Sequence, residues 1–195
     1  MFKKTLASAA VMLVATTVMF AQKMPASPAR TAQTQIGGKW LEVTYGAPIL
    51  RGRNNIFGSG ADYAKKVVSD GATIWRAGAN VSTRLRAEAP LMIGGTSVPA
   101  GEYSIFIDTK ENNWTFVLSN WAAAKTYPPP TKDELWGSFD YTPAKDVVRV
   151  PMKLSKNAMS IDQLTWGFAN VTAAGGDLVI MWDTQVASVP LTVAK

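Results

Sequence analysis

The segment Trp75-Arg76-Ala77-Gly78-Ala79-Asn80 carries the residue types best suited to recognition chemistry. Arginine offers a rigid fork of N–H donors, and asparagine offers both a donor and an acceptor. Gly78 would allow a bulge or kink that turns Arg76 and Asn80 to one side. With the Trp75 indole beside them, they would suit a sugar or a carboxylate. The competing reading is a structural clamp, in which Arg76 pairs with an acid at the core edge and Asn80 ties down a loop. A second polar segment, Pro48 to Gly60, carries Arg51, Arg53, Asn54 and Asn55. It could bind an anion or remain a solvated loop.

The composition removes whole classes of catalysis. The 195 residues include no histidine and no cysteine. A Ser-His-Asp triad and a thiol nucleophile are therefore impossible. The usual zinc, haem and iron–sulfur sites lose their ligands as well. No Gly-rich phosphate loop ends in Lys-Ser/Thr, and no Gly-x-Gly-x-x-Gly follows a strand, so no nucleotide cofactor is expected. No acidic loop has calcium-motif spacing, and neither a metal nor a cofactor is expected. Carboxylates remain, and glycoside hydrolysis needs only two of them. The candidates are Asp133 and Glu134, with Asp140 and Asp146 following. The simpler reading of Asp133 and Glu134 is the first turn of a short helix over Thr131 to Leu135, where negative charge suits exposed amides.

The elements that must position these groups are strands. Core-facing residues alternate at Leu41, Val43 and Tyr45, at Thr83, Leu85 and Ala87, and at Tyr103, Ile105 and Ile107. They do so again at Trp114, Phe116 and Leu118, at Val148, Val150 and Met152, and at Leu164, Trp166 and Phe168. Leu178, Ile180 and Trp182, then Val189, Leu191 and Val193, complete the pattern. A period of two puts one set of side chains in a core and the other toward solvent. Gly37-Gly38, Gly94-Gly95 and Gly175-Gly176 read as hairpin turns, and Glu111-Asn112-Asn113 as another. The best helical candidates, Ala61 to Val68 and Thr131 to Leu135, are short. The expected fold is all-β: a β-sandwich, jelly-roll-like or immunoglobulin-like, of short antiparallel strands with short helical turns in the connections. Of the seven tryptophans, Trp114, Trp166 and Trp182 fall on core faces, while Trp40 and Trp121 are the surface candidates.

Residues 1–21 read as a secretory signal peptide: Lys3 and Lys4 precede a mostly apolar run from Leu6 to Ala21, with cleavage expected at Ala21–Gln22. An uncleaved anchor is the alternative, although the run falls short of the ~20 apolar residues of a membrane span. Residues 22–30, with Pro25 and Pro28, read as a flexible lead-in, and residues 31–195 as one β-sandwich domain. Without cysteine there are no disulfides, and an exported chain must rely on its core. The expected location is the periplasm or the medium. Net charge is +6, falling to +4 without Lys3 and Lys4. The excess favours anionic surfaces, but scattered basic residues argue against nucleic acid as a partner.

Ordered motifs also carry a family resemblance. Ala26-Ser27-Pro28-Ala29 and Val43-Thr44-Tyr45-Gly46 lead to Arg51-Gly52-Arg53-Asn54 and Ile56-Phe57-Gly58. Trp75-Arg76-Ala77-Gly78-Ala79-Asn80, Ser82-Thr83, Val98 to Ser104, Trp136-Gly137 and Asp146 to Val150 follow in order. With these motifs, from about Ala26 to Val193, the chain resembles the bacterial family catalogued as domain of unknown function 2911. The resemblance implies an exported, mainly β domain and no assigned activity. The functional expectation is a non-catalytic binding module for a small molecule, a glycan or an envelope partner, with Trp75, Arg76, Asn80, Arg51, Arg53 and Asn54 as candidate contacts. A carboxylate-dependent glycan hydrolase and a structural envelope protein are the alternatives.

Overall fold

The computed structural model describes residues 26–69 and 71–194. The expected signal peptide lies outside the described residues. Strand β1 (Ala29–Ile36) begins inside the segment expected to be a lead-in and pairs with β2 (Lys39–Gly46). After a long excursion come β3 (Thr83–Ala87), the small hairpin β4 (Leu91–Ile93) and β5 (Thr96–Val98), and then β6 (Gly101–Lys110) and β7 (Asn113–Ser119). Two short strands, β8 (Ala122–Ala123) and β9 (Glu134–Leu135), precede β10 (Asp146–Pro151), β11 (Lys153–Ala169) and β12 (Gly175–Val193).

The strands make two antiparallel sheets, ordered β1-β2-β3-β6-β7-β10 and β11-β12-β4-β5, and the pair β8-β9 is parallel. The expected all-β sandwich is what forms. Leu41, Val43, Leu85, Ile105 and Phe116 of the first sheet meet Leu164, Trp166, Leu178, Ile180 and Leu191 of the second in one buried core. Each fully buried side chain of this kind contributes about 1.5–3 kcal/mol of transfer free energy. Among the described residues no helix is long and apolar enough to cross a membrane.

Two expected hairpins form at glycine pairs. Gly37 and Gly38 have φ of 58° and 76°, and Gly94 and Gly95 have 57° and 81°. Both are two-residue loops, Ile36 facing Lys39 and Ile93 facing Thr96. Positive φ at both central positions matches the right-handed strand twist, and glycine adopts it without strain. Glu111-Asn112 turns β6 into β7, with Asn112 at φ 63°.

Three local expectations are corrected. Gly175 and Gly176 open β12 rather than forming a turn, which falls earlier, where Asn170 takes a φ of 52°. A Cβ on Gly176 would lie 3.0 Å from the Ala169 carbonyl oxygen, so close strand approach explains the glycine. Ala61 to Val68 is not a helix: a 3-10 turn covers Gly60–Asp62, and Ala64, at φ 63°, ends any right-handed run. Thr131 to Leu135 is not a helix either. Glu134 and Leu135 form β9 beside β8, and the Leu135 carbonyl accepts the Ala124 N–H at 2.9 Å.

The alternation rule also leaves one feature unannounced. Phe106 and Val117 point away from the sandwich core and are fully buried, under Ile74, Leu135 and Tyr141. The connection from Trp121 to Tyr141 therefore covers the outer face of β6 and β7. It also carries the residues that close the site.

A cationic cleft at the end of the sandwich

The Trp75 segment takes its position from β6. Beyond Thr83 the flank of β6 is free of β3, and Trp75 fills it. Its N–H donates to the Ile107 carbonyl at 3.1 Å and its carbonyl accepts the Ile107 N–H at 2.9 Å. The Trp75 side chain turns inward and is only 1% exposed. It lies parallel to Trp182 at 6.4 Å between ring centroids and edge-on to Trp114 at 5.8 Å. Trp75 is thus a floor beneath the site rather than an open stacking surface.

Ala77, at φ 54°, then lifts the chain out of strand geometry. Its carbonyl accepts hydrogen bonds from Thr83 Oγ1 at 3.1 Å and from Trp166 Nε1 at 2.9 Å. Gly78 makes no bulge; a Cβ there would stand 2.8 Å from Thr83 Oγ1 and 2.9 Å from the Gly46 carbonyl oxygen. Glycine is required by close approach, while Ala77 and Asn80 (φ 62°) supply the turn. Asparagine tolerates that left-handed conformation better than most residues.

Arg76 emerges half-buried. Its Nη1 donates to the Asn80 carbonyl at 2.6 Å, its Nη2 donates to Ser69 Oγ, and its guanidinium carbon lies 5.7 Å from the Phe139 ring centroid. Among the described residues no carboxylate pairs with it, contrary to the acid-paired clamp. Asn80 does tie a segment down, its Nδ2 donating to the Ser27 carbonyl at 3.3 Å. Burial moves the Arg76 pKa below the ordinary arginine value. The guanidinium nevertheless remains charged under physiological conditions.

The arginine loop approaches from the opposite side. Its base is pinned to β11, where Leu50 N–H donates to the Asp162 carbonyl at 2.7 Å and Leu164 N–H to the Pro48 carbonyl at 2.9 Å. The Arg51 N–H donates to Asp162 Oδ1 at 3.2 Å. The Arg53 guanidinium folds back on its own turn, Nε reaching the Leu50 carbonyl at 2.9 Å and Nη2 the Ile49 carbonyl at 2.8 Å. This orients the fork and leaves part of its donor set over.

Between the two segments lies a cleft of about 570 Å³, lined by Arg51, Arg53, Lys66, Arg76, Asn80 and Trp136, among others. Four side chains on this wall are cationic, and no described lining residue is acidic. Such one-sided charge in a concave site concentrates anions. The structure brings together Arg51, Arg53, Trp75, Arg76 and Asn80; Asn54 is exposed and does not line the cleft. A smaller hollow of about 250 Å³ shares Ser27, Ala79 and Asn80 with it, and its walls are mostly apolar or backbone. The larger cleft holds the convergent polar groups, so it is the candidate site.

Sequence reasoning missed Lys66 and Trp136 as cleft residues. Lys66 has no distinguishing signal. Trp136-Gly137 stands out as one of the family motifs, but its only chemical signal is an aromatic before a glycine, here at φ 65°. That pair is anchored by Ser82, whose buried hydroxyl donates to the Gly137 carbonyl at 2.5 Å.

The candidate hydrolase acids lie elsewhere. Asp133 is exposed and accepts from Lys145 Nζ at 2.6 Å, and this hydrogen bond and charge hold its carboxyl below the ordinary aspartate pKa. Glu134 accepts from Thr131 Oγ1 at 3.1 Å. Asp146 is buried against Tyr141 and Arg149, at 2.6 and 2.8 Å. Neither do the surface tryptophans extend the cleft. Trp121 is capped by Lys145 Nζ, 4.1 Å from its ring centroid, and Trp40 lies in a separate shallow groove on the first sheet.

The family model described as Protein of unknown function (DUF2911) matches residues 27–191. No curated protein and no solved structure matches the chain.

Proposed function

We propose a function from the cleft itself, since the chain belongs to the DUF2911 family, whose description assigns no activity. The protein is a non-catalytic binding module that holds an anionic small molecule or glycan between the arginine loop and the Trp75–Asn80 segment. One observation carries this reading: Arg51, Arg53, Lys66 and Arg76 line a single cleft with no acidic residue among the described lining. Arg76 adds weight, because a half-buried guanidinium without a carboxylate partner among the described residues leaves N–H donors and a charge for a ligand to satisfy. The glycan hydrolase alternative needs two carboxylates astride a bond, and none lines this cleft among the described residues. Export belongs to the same proposal and is supported by Lys3-Lys4 and the apolar run to Ala21.

The test is calorimetric titration of the purified protein with citrate, set beside Arg76→Gln and Arg53→Gln variants whose folding is checked by circular dichroism. Loss of one charge-assisted contact is expected to weaken binding about tenfold or more. Equal affinity in the folded variants, or no binding of any anion by the parent protein, overturns the proposal.

A further inference from the structure

The cleft has an aromatic rim that charge alone does not explain. Tyr127 is 71% exposed, a large ring left to solvent at the start of the three-proline run. Its centroid lies 6.4 Å from that of Trp136, with the ring planes at 60°. Trp136 in turn lines the cationic cleft. The two rings therefore run from open surface to the edge of the charged wall.

We infer that the anion bound here is carried on a sugar ring: the ligand is an acidic saccharide of the uronic-acid class, its ring on Tyr127 and Trp136 and its carboxylate on Arg76. This rests on the anion-binding reading above and narrows it.

Three features support the narrower class. The Trp136 half of the aromatic platform is held before any ligand arrives. Ser82 anchors the Gly137 carbonyl, and the Leu135 carbonyl is tied to Ala124. A fixed backbone on either side of Trp136 avoids that ring's share of the ordering cost that weakens binding by mobile loops. The platform is also adjacent to the charge. A Cβ on Gly137, the residue after Trp136, would stand 2.8 Å from the Arg76 guanidinium carbon. Ring contact and carboxylate contact thus fall close together, as they do on a uronate. Finally, rings tilted by 60° form a corner rather than a parallel slot. A tilted pair at this separation is an ordinary aromatic contact, and the exposed Tyr127 face leaves apolar ring surface for the C–H groups of a sugar. Asn80 borders the same space, and its amide oxygen accepts no hydrogen bond from the described residues, leaving an acceptor for a hydroxyl.

The experiment compares three probes on the purified protein by calorimetry: a galacturonic acid trimer, a galactose trimer and citrate. The acidic trimer is expected to bind, to change tryptophan fluorescence, and to exceed the neutral trimer in affinity. Tyr127→Ala should weaken the acidic trimer about tenfold and leave citrate unchanged. That ring is mostly exposed, so its removal spares the core. Arg76→Gln should weaken both acidic ligands. If citrate binds while the acidic trimer binds no better than the neutral one, the saccharide inference falls and the anion reading stands. A Tyr127→Ala variant that binds the acidic trimer as tightly as the parent overturns the inference equally. If neither acidic ligand binds, both proposals fail.

Discussion

The guanidinium of Arg76 rests on the backbone of Gly137, so closely that a methyl group there would sit 2.8 Å from its central carbon and 3.1 Å from Nε. Two segments about sixty residues apart thus meet at close quarters, beside the Arg76–Phe139 and Ser82–Gly137 contacts. The side chain that faces the cleft is held by the Asn80 carbonyl and Ser69 Oγ, and Gly137 leaves room for it by having no side chain.

Gly137→Ala should therefore lose more than backbone strain. Gly95 provides the comparison, since it also has positive φ, at 81°, but has open space around its Cα. Gly95→Ala is expected to cost about 1 kcal/mol of stability from strain alone. Gly137→Ala adds the collision with Arg76, and should cost more in urea denaturation while also weakening citrate. Equal losses in the two variants would show that the contact is unimportant.

The Ala77 carbonyl serves two donors, Thr83 Oγ1 and Trp166 Nε1. Removing either leaves the buried oxygen satisfied by the other. Thr83→Val and Trp166→Phe should then combine non-additively. The double variant is expected to lose about 1 kcal/mol more than the two single losses together. A double-mutant cycle read by urea denaturation measures that excess, and additivity would refute it.

Tyr141 sets an alkaline limit. Burial first, and then the hydrogen bond and charge of Asp146, hold its phenol well above the ordinary tyrosine pKa, with Arg149 opposing. The folded state therefore keeps the proton longer than the unfolded chain. Stability from this group is whole below the unfolded value of 10.0 and falls as pH climbs from there toward the raised folded value. Tyr63 and Tyr103 shift in the same direction through burial. Unfolding free energy measured in alkaline buffers should accordingly fall above about pH 10, and less steeply in Tyr141→Phe. An identical slope in that variant would contradict the assignment.

Anion binding should depend on salt. The screening length contracts from ~10 Å at 0.1 M to ~3 Å at 1 M, which suppresses attraction from the cleft's more distant charges. Citrate affinity should fall across that range. Lys66→Met, at an exposed position on the cleft wall, should flatten the dependence without abolishing binding. A salt-independent affinity would mean that the cations are not what holds the ligand.

Much of the architecture is legible along the chain. Alternation at Leu41, Val43 and Tyr45, or at Leu178, Ile180 and Trp182, marks core faces correctly because strand geometry repeats every two residues. It fails where both faces are buried, as at Phe106 and Val117, because the cover comes from a distant connection. Gly175-Gly176 looks like a turn, yet it is a strand start where chains approach closely. Local composition does not separate positive φ from crowding.

The site divides in the same way. The amino-acid sequence by itself determined which chemistries are open: without histidine or cysteine, recognition falls to guanidinium, amide, carboxylate and indole groups. It also marked Arg51, Arg53, Arg76 and Asn80 as polar residues in segments that do not follow strand alternation. Only the tertiary structure decided that the two loops face each other, that Trp136 joins them from a third segment, and that Trp75 is buried beneath. Side-chain type and period are properties of neighbouring residues. Convergence depends on sheet order and on the path of the connections, which long-range packing sets.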